Sequence, residues 1–192
     1  MTHIQVPFGD LKRQHTALAD EIAATMARVV ASGWYILGPE VQAFEAQFAE
    51  FCSVRHCIGV GNGTEALQLA MTALGIGPGD EVITVANAAI YEAITAVAIG
   101  ATPVFVDVDA DSHTMDPSLI ERAITPRTQA IIPVHLYGRM ADMDAIMAVG
   151  APPRIPGNGG CAQARGGPSW RRPDWSFWGR ALPKFLPAQK PG

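Results

Sequence analysis

Residues 57–74 read CIGVGNGTEALQLAMTAL, and this stretch predicts a strand, a glycine turn and a helix in succession. Residues 57–60 are a short apolar run of the kind that a buried parallel strand shows. Glycines at positions 59, 61 and 63 let the backbone turn tightly and approach a ligand closely. Thr64 stands where the helix is expected to begin, because apolar residues follow it at helical spacing: Ala66, Leu67, Ala70, Met71, Ala73 and Leu74.

The glycine turn is a candidate phosphate site. A helix that begins at such a turn presents unpaired backbone N–H groups and the positive end of its dipole to one point in space, where a phosphate fits. The pattern is neither the P-loop nor the dinucleotide fingerprint. A phosphate cradle and an ordinary turn capped by Thr64 are therefore equally compatible with it.

After this stretch, short apolar runs alternate with helical patterns. Strands are predicted at residues 81–86, 102–106 and 130–134, and helices at 88–99, after the cap Asp116, and at 141–149. The alternation predicts an α/β fold with a mostly parallel sheet flanked by helices. Ligands of such sheets lie at the carboxyl ends of the strands, where the sequence has Asn87, Asp107 and His135.

Two helical patterns precede the glycine turn. Residues 15–30 have one apolar face, and Gly33 is the expected stop. A second helix is expected to begin at Pro39. It carries a largely aromatic stripe, which we interpret as core packing rather than as a cofactor contact: Val41, Phe44, Phe48 and Phe51.

The composition is that of a globular chain. Of its 192 residues, 48% are hydrophobic and 17% are charged. The sequence predicts no signal peptide and no membrane span, and its three cysteines form no C-x-x-C pair. We therefore expect a cytoplasmic protein with reduced thiols, no metal site and no membrane partner.

Residues 151–192 have a different texture. They hold seven Lys or Arg and one acidic residue, so they carry about +6, while residues 1–150 carry the remaining −10 of the net −4. They also contain eight of the fifteen prolines and show almost no periodicity. Because Arg and Trp residues are interleaved here, a tail that binds nucleic acid is one interpretation, although no other feature supports a nucleic-acid module.

Several motifs in fixed order resemble the DegT/DnrJ/StrS family of sugar aminotransferases. The resemblance covers residues 5–150 almost continuously and rests on SGWYILGPEVQAFEAQFAEFC, GVGNGTEALQLAMTALGIGPGDEVITVAN, GATPVFVDVD and PVHLYGRMADMD. Members are pyridoxal-phosphate (PLP) enzymes of fold type I. The resemblance thus implies that residues 1–150 are the N-terminal part of the PLP-binding large domain, which is incomplete here because members are much longer.

The resemblance also implies cofactor-binding residues. Gly63, Thr64 and Glu65 match the family motif whose Gly-Thr pair binds the PLP phosphate. The ring that the family stacks on the pyridine aligns with Ala89, so Tyr91 is the expected substitute, with helix packing as the alternative. Gln163 matches a glutamine that contacts the cofactor ring.

The same comparison shows departures in residues 151–192, which we expect to be a degraded or frame-shifted, poorly ordered continuation of the domain. Gly160 stands where the family has the aspartate that pairs with the pyridine nitrogen. Gln189 aligns with the catalytic lysine that binds PLP covalently. Lys190, one residue later, is therefore the catalytic candidate, with Lys184 second and a surface lysine as the alternative for each.

The function implied by the resemblance is amino transfer from glutamate or glutamine to a keto group of a nucleotide-linked sugar, by a homodimer, with this chain inactive or incomplete. Two alternatives stay open: a non-catalytic remnant, and a phosphate- or nucleotide-binding α/β module with a basic tail. His135 is either a satisfied histidine at a strand end or a group near the cofactor. Because an incomplete sheet leaves an open edge and uncovered apolar faces, we expect poor solubility.

Overall fold

The computed structural model describes residues 9–52, 54–136 and 138–150. The chain divides into two compact units, one ending at Phe44 and the other beginning at Glu45. The described part of the first unit is helical, and the second contains a three-stranded sheet with its helices. All residues that form the candidate site belong to the second unit.

In the first unit, helix α1 spans Leu11–Ser32. Asp10 caps its start by accepting a hydrogen bond from the Arg13 N–H at 2.9 Å. Gly33 ends it in the left-handed conformation, with φ at 65°, as predicted. Helix α2 spans Pro39–Phe51 and begins at the predicted proline; its residues from Glu45 onward belong to the second unit.

The apolar faces predicted for these helices are largely exposed. Leu18, Ile22, Met26 and Val30 of α1 are all exposed. In α2, Phe51 is 61% exposed and Phe44 is also exposed, so the prediction that the aromatic stripe is core packing is wrong for both residues. Helical spacing identifies an apolar side, but burial depends on an element that covers it, and spacing says nothing about that element.

The second unit is built on a parallel sheet, as predicted. Strands β1 (Glu81–Val85), β2 (Thr102–Val106) and β3 (Thr128–Ile131) lie in the order β2-β1-β3. All five residues of the central strand are buried. The predicted bounds of the last strand, 130–134, are wrong by two or three residues, because its regular pairing ends at Ile131; the Ile132 N–H still donates to the Ile83 carbonyl at 2.7 Å.

Helices cover both faces of the sheet. Consecutive strand residues point to opposite faces, and accordingly Val82 and Ile83 belong to different hydrophobic clusters. Helices α3 (Gly63–Ala73) and α4 (Tyr91–Ala98) pack on the face of Val82. Helix α5 (Met143–Gly150) and two short 3-10 helices, Pro117–Leu119 and Glu121–Ala123, pack on the face of Ile83.

The strand predicted at residues 57–60 is absent. In the part of the chain that the structure describes, these residues pair with no strand, and Ile58 is 63% exposed. A strand needs a neighbour that accepts and donates its backbone hydrogen bonds. An apolar run in the sequence cannot supply that neighbour, so the prediction was wrong.

Three helix predictions need smaller corrections. Asp116 caps a helical segment at Pro117, as predicted, and accepts from the Ser118 N–H at 2.8 Å, but the segment is 3-10 rather than α. Helix α4 begins at Tyr91 instead of residue 88, because Ile90 takes a left-handed backbone with φ at 60°. Helix α5 begins at Met143, two residues later than predicted.

Connectivity brings the starts of α3 and α4 to one edge of the sheet. Each helix ends a few residues before a strand begins, α3 before β1 and α4 before β2. Eleven helical residues and five strand residues both span about 16 Å. The first turn of α3 therefore lies near the carboxyl ends of the strands. The first turn of α4 lies there too, because α4 follows the carboxyl end of β1, and the two helices pack against each other.

Candidate functional site

The start of α3 is capped by Asn62. Its backbone is extended, and its Oδ1 accepts a hydrogen bond from the Glu65 N–H at 2.9 Å. The prediction that Thr64 is the cap was wrong, because Thr64 is the second residue of the helix. The signal was present in the sequence, since Asn followed three residues later by Glu is a variant of the capping-box pattern.

The Glu65 side chain folds back over the turn. Its Oε2 accepts from the Gly61 N–H at 2.9 Å. A Cβ at position 61 would lie 2.8 Å from the same oxygen, so any other residue there would displace the carboxylate from this hydrogen bond. The structure thus places the Glu65 carboxylate on the turn, and its assignment as a cofactor ligand stays a prediction.

Two backbone N–H groups in the first turn of α3 have no acceptor in the described part of the chain. Among the residues that the structure describes, the backbone N–H groups of Gly63 and Thr64 and the Thr64 hydroxyl make no hydrogen bond. Both residues are half-buried. Two amides and a hydroxyl at the positive end of a helix are the donors that a phosphate monoester needs, so this donor set fits the phosphate of PLP.

Residues 86–91 join β1 to α4 at the same edge of the sheet. The Asn87 Nδ2 donates to the His113 carbonyl at 2.8 Å and so ties the end of β1 to the loop after β2. The β-branched Ile90 is held at positive φ, which is rare for this residue type and marks local strain. Tyr91 is 53% exposed as the first residue of α4. Its role over the cofactor ring stays a prediction.

His135 is a buried, satisfied histidine, as one of the two interpretations predicted. It is 2% exposed, and its Nδ1 accepts from the Ala141 N–H at 3.0 Å. Burial lowers its pKa from 6.5 to about 4, so the ring is neutral at physiological pH. A neutral ring whose Nδ1 is engaged by the backbone positions the turn after β3.

Glu92 was not singled out by the sequence analysis. It is the second residue of α4 and only 7% exposed, and its Oε2 has no hydrogen-bond partner among the described residues. Burial raises the pKa of its carboxyl. Leaving such an oxygen unsatisfied costs about 1–3 kcal/mol. The signal was a lone carboxylate four residues before the buried Ala96, on the same face of an otherwise apolar helix.

Glu45 holds the segment that leads into the glycine turn. Its Oε1 accepts from the Gly59 N–H at 2.6 Å. Burial, reinforced by electrostatic interaction with Glu45 and Cys52, raises the pKa of Cys57 to about 11. The Cys57 thiol is therefore protonated at neutral pH and is a poor nucleophile, so the chemistry of this edge does not come from a thiolate.

Several predicted residues lie outside the described residues. These are Gln163, Lys190 and the alternative Lys184, together with Gly160 and the whole of residues 151–192. Within the described ranges, no group of three or more His, Cys, Asp or Glu side chains could hold a metal ion. No helix in those ranges is long and apolar enough to cross a membrane.

The sequence matches the model of a known protein family. The model of the DegT/DnrJ/EryC1/StrS aminotransferase family matches residues 16–170. The chain belongs to this family. The dTDP-3-amino-3,4,6-trideoxy-alpha-D-glucose transaminase of Streptomyces venezuelae is 54% identical over 142 residues, which are 74% of this chain and 38% of that protein. The UDP-2-acetamido-2-deoxy-3-oxo-D-glucuronate aminotransferase of Pseudomonas aeruginosa is 50% identical over 79% of this chain and 42% of its own length.

Solved structures of the family have the same fold. The structure of S. venezuelae DesV superimposes with a TM-score of 0.81 and 50% sequence identity, over 84% of this chain and 43% of that one. NtdA from Bacillus subtilis, solved with bound cofactor PMP, gives a TM-score of 0.82 at 32% identity, over 86% and 38% of the two chains. This family member is thus an α/β chain with a PLP-enzyme fold, and it spans less than half the length of these relatives.

Proposed function

We propose that this chain carries the phosphate-binding part of a PLP-dependent aminotransferase that moves an amino group to a keto group of a nucleotide-linked sugar. The observation that carries the proposal is the pair of unpaired N–H groups on Gly63 and Thr64 at the capped start of α3. Membership of an aminotransferase family supports it. The names of the relatives, which act on dTDP- and UDP-linked sugars, support the substrate class.

The residues of the site have separate tasks in this proposal. Gly63 and Thr64 bind the phosphate, while Asn62 and the Glu65–Gly61 contact hold the turn open toward it. Tyr91 and Gln163 contact the ring, and Lys190 is the catalytic lysine that holds and moves the proton between the donor carbon and the cofactor. When bound, PLP supplies an electron-withdrawing ring that stabilises negative charge on the carbon next to the amine.

The remaining parts of the proposal concern donor, assembly and location. Glutamate or glutamine supplies the nitrogen and is left as the corresponding keto acid. The protein is a cytoplasmic homodimer, and this chain alone is inactive or incomplete. A non-catalytic remnant that still binds the cofactor is the second candidate, because Gln189 rather than Lys190 occupies the aligned lysine position.

A binding experiment tests the phosphate site. The probe is pyridoxamine 5′-phosphate, which lacks an aldehyde and does not react with surface lysines. We expect Thr64→Val to weaken its binding to the 192-residue chain about tenfold, since one hydrogen bond to a charged group is lost. Thr72→Val, at an exposed position of the same helix, is the matched control and leaves binding unchanged. The proposal is contradicted if Thr64→Val binds the probe as tightly as Thr72→Val does. It is also contradicted if the chain binds pyridoxamine, which lacks the phosphate, as tightly as pyridoxamine 5′-phosphate.

A labelling experiment separates the two candidate functions. The chain is incubated with PLP, reduced with borohydride and digested, and the labelled lysine is identified by mass spectrometry. A catalytic chain gives label on Lys190 that excess glutamate prevents. A remnant binds pyridoxamine 5′-phosphate but labels its lysines without preference and without protection by the donor.

A further inference from the structure

We propose that Glu45 is a positioning residue for the phosphate site and that it acts through the backbone of Gly59. The inference rests on the proposed function and adds to that site a side chain that does not touch the anion. Residues 57–60 lead directly into the glycine turn, yet in the described part of the chain they pair with no strand. The contacts that fix this segment therefore support the amides of Gly63 and Thr64.

Two carboxylates bind the amides on either side of Val60. Glu45 Oε1 accepts from the Gly59 N–H at 2.6 Å, and Glu65 Oε2 accepts from the Gly61 N–H at 2.9 Å. In a sheet, a neighbouring strand would accept such N–H groups. Here the two glutamate side chains supply the acceptors, so they fix the segment in place of a strand.

The two acceptors come from different places in the fold. Glu65 belongs to α3 and contacts the turn from which its own helix begins. Glu45 belongs to α2 and lies 14 positions before Gly59, so its hydrogen bond joins the segment to a separate helix. A contact within one turn moves with that turn, whereas a contact to another helix fixes its position. Glu45 is therefore the carboxylate that anchors the segment.

The start of α3 needs such an anchor. Its first residue is Gly63, which has no side chain to pack and belongs to the residue type that loses most backbone freedom on folding. The first N–H groups of a helix have no intrahelical acceptor, and helix ends fray. Val60 packs against the cluster that contains the buried face of α3, and Glu45 fixes Gly59 beside it. A segment held at both residues presents the amides of Gly63 and Thr64 to an anion already ordered.

Cys57 reports the position of the Glu45 carboxylate. Burial, which is the larger effect, and electrostatic interaction with Glu45 both raise the pKa of the Cys57 thiol. A glutamine at position 45 is neutral, but its amide oxygen can still accept from the Gly59 N–H. The charge of Glu45 and its hydrogen bond can therefore be tested separately at one position.

The decisive experiment compares three variants with the wild-type 192-residue chain. Glu45→Ala removes the acceptor, Glu45→Gln keeps it, and Glu50→Ala, at an exposed position of the same helix, is the matched control. Equilibrium dialysis measures the binding of pyridoxamine 5′-phosphate, and circular dichroism verifies that each variant is folded. The rate at which iodoacetamide alkylates Cys57 at pH 9, followed by mass spectrometry, reports the thiolate fraction.

We expect Glu45→Ala to weaken binding about tenfold, because roughly one more residue must be ordered when the anion binds. We expect Glu45→Gln to bind within about twofold of the wild type and Glu50→Ala to bind as the wild type does. Alkylation of Cys57 is expected to be faster in Glu45→Gln, since its thiol pKa falls. If Glu45→Ala does not fold, Glu45→Asp, which keeps the charge but shortens the side chain by one methylene group, takes its place.

Three results overturn the inference while leaving the proposed function intact. The first is a folded Glu45→Ala that binds the probe as tightly as the wild type while Thr64→Val still weakens binding, which assigns Glu45 a purely structural role. The second is an equal loss of affinity in Glu45→Ala and Glu45→Gln. The third is an unchanged rate of Cys57 alkylation in Glu45→Gln, which places the carboxylate away from this segment. A wild-type chain that does not bind the probe overturns the inference and the proposed function together.

Discussion

Gly61 and Glu65 form a contact in which the backbone N–H of the glycine donates to the side-chain carboxylate of the glutamate. The Gly61 N–H donates to Glu65 Oε2 at 2.9 Å, and that oxygen lies 2.8 Å from the place a Cβ would occupy. The contact gives one amide of the turn an internal acceptor. The amides of Gly63 and Thr64 are then the donors that remain for an external anion.

Gly61→Ala is expected to lower the free energy of unfolding by about 1 kcal/mol, because the Glu65 carboxylate must move away and its hydrogen bond is lost. The measurement is the midpoint of urea unfolding at constant slope. Glu65→Ala provides the test of mechanism. If the Cβ acts through Glu65, Gly61→Ala costs little in the Glu65→Ala background, whereas additive costs contradict the explanation.

A matched glycine control is available at Gly77. A Cβ there meets only the Ile99 carbonyl at 3.8 Å, an ordinary contact. Gly77→Ala is therefore expected to be tolerated, with little or no loss in the unfolding midpoint. A loss as large as that of Gly61→Ala would show that glycine replacement in general, rather than the Glu65 contact, is the cause.

Two substitutions of Asn62 distinguish its role as helix cap from its proximity to the proposed anion site. Asn62→Ala is expected to cost about 1 kcal/mol in the free energy of unfolding, since the Glu65 N–H loses its acceptor. Asn62→Asp keeps the cap and the stability but adds a negative charge beside the Gly63 and Thr64 amides. It is expected to weaken the binding of pyridoxamine 5′-phosphate, measured by equilibrium dialysis. Unchanged affinity in Asn62→Asp would place the anion elsewhere.

The lowered pKa of His135 predicts that the free energy of unfolding depends on pH. Its pKa falls from 6.5 to about 4 on folding, so the unfolded chain binds the proton more tightly between these values. Its contribution to stability is fully present above pH 6.5 and is lost as the pH falls toward 4, by about 3 kcal/mol. Urea unfolding of the wild type and of His135→Asn at pH 8 and pH 4 measures the difference.

The asparagine variant isolates this one histidine. Its amide oxygen can still accept from the Ala141 N–H, but the side chain does not titrate in this range. Contributions from other groups, including the buried Glu92, cancel in the comparison. An exposed histidine supplies the control, and His56→Asn is expected to show the pH dependence of the wild type. A wild type and a His135→Asn variant with parallel pH profiles would contradict the assignment.

The exposed face of α1 predicts limited solubility of the isolated chain. Met26 and Val30 lie one turn apart on this helix, and both are exposed. Replacing both with Gln removes apolar surface without lowering helix propensity, so we expect less light scattering at a given concentration. Gln at the buried Met71 is the contrasting variant, which is expected to unfold the chain. A wild-type chain that is monodisperse at high concentration would contradict the prediction.

Local sequence patterns predicted the strands of the sheet more accurately than they predicted which residues are buried. Alternating strands and helices placed β1 and β2 within a residue of their observed bounds, because apolar strands between turn residues are a local signal. Residues 57–60 have the same signal without a partner strand in the described chain. The exposed Phe51 is a similar case, since burial is decided by a surface that helical periodicity does not specify.

The start of α3 was predicted in position but less well in detail. Gly63 and Thr64 stand at the helix start with free amides, because a glycine turn before an apolar helix is a short-range pattern. The cap at Asn62 was missed because Asn62 and Thr64 are both residue types that cap helices. The backbone conformation, which is extended at Asn62, decides between them. Glu92 was missed because its importance depends on burial by other elements, which the sequence around it does not reveal.

The hydrogen bond from the Asn87 side chain to the His113 carbonyl spans 26 positions of the sequence and joins two loops that no strand pairing connects. It cross-links the loop after β1 to the loop after β2 through one side-chain amide. Removing that amide would therefore release two loops with a single substitution, without altering any residue of the glycine turn.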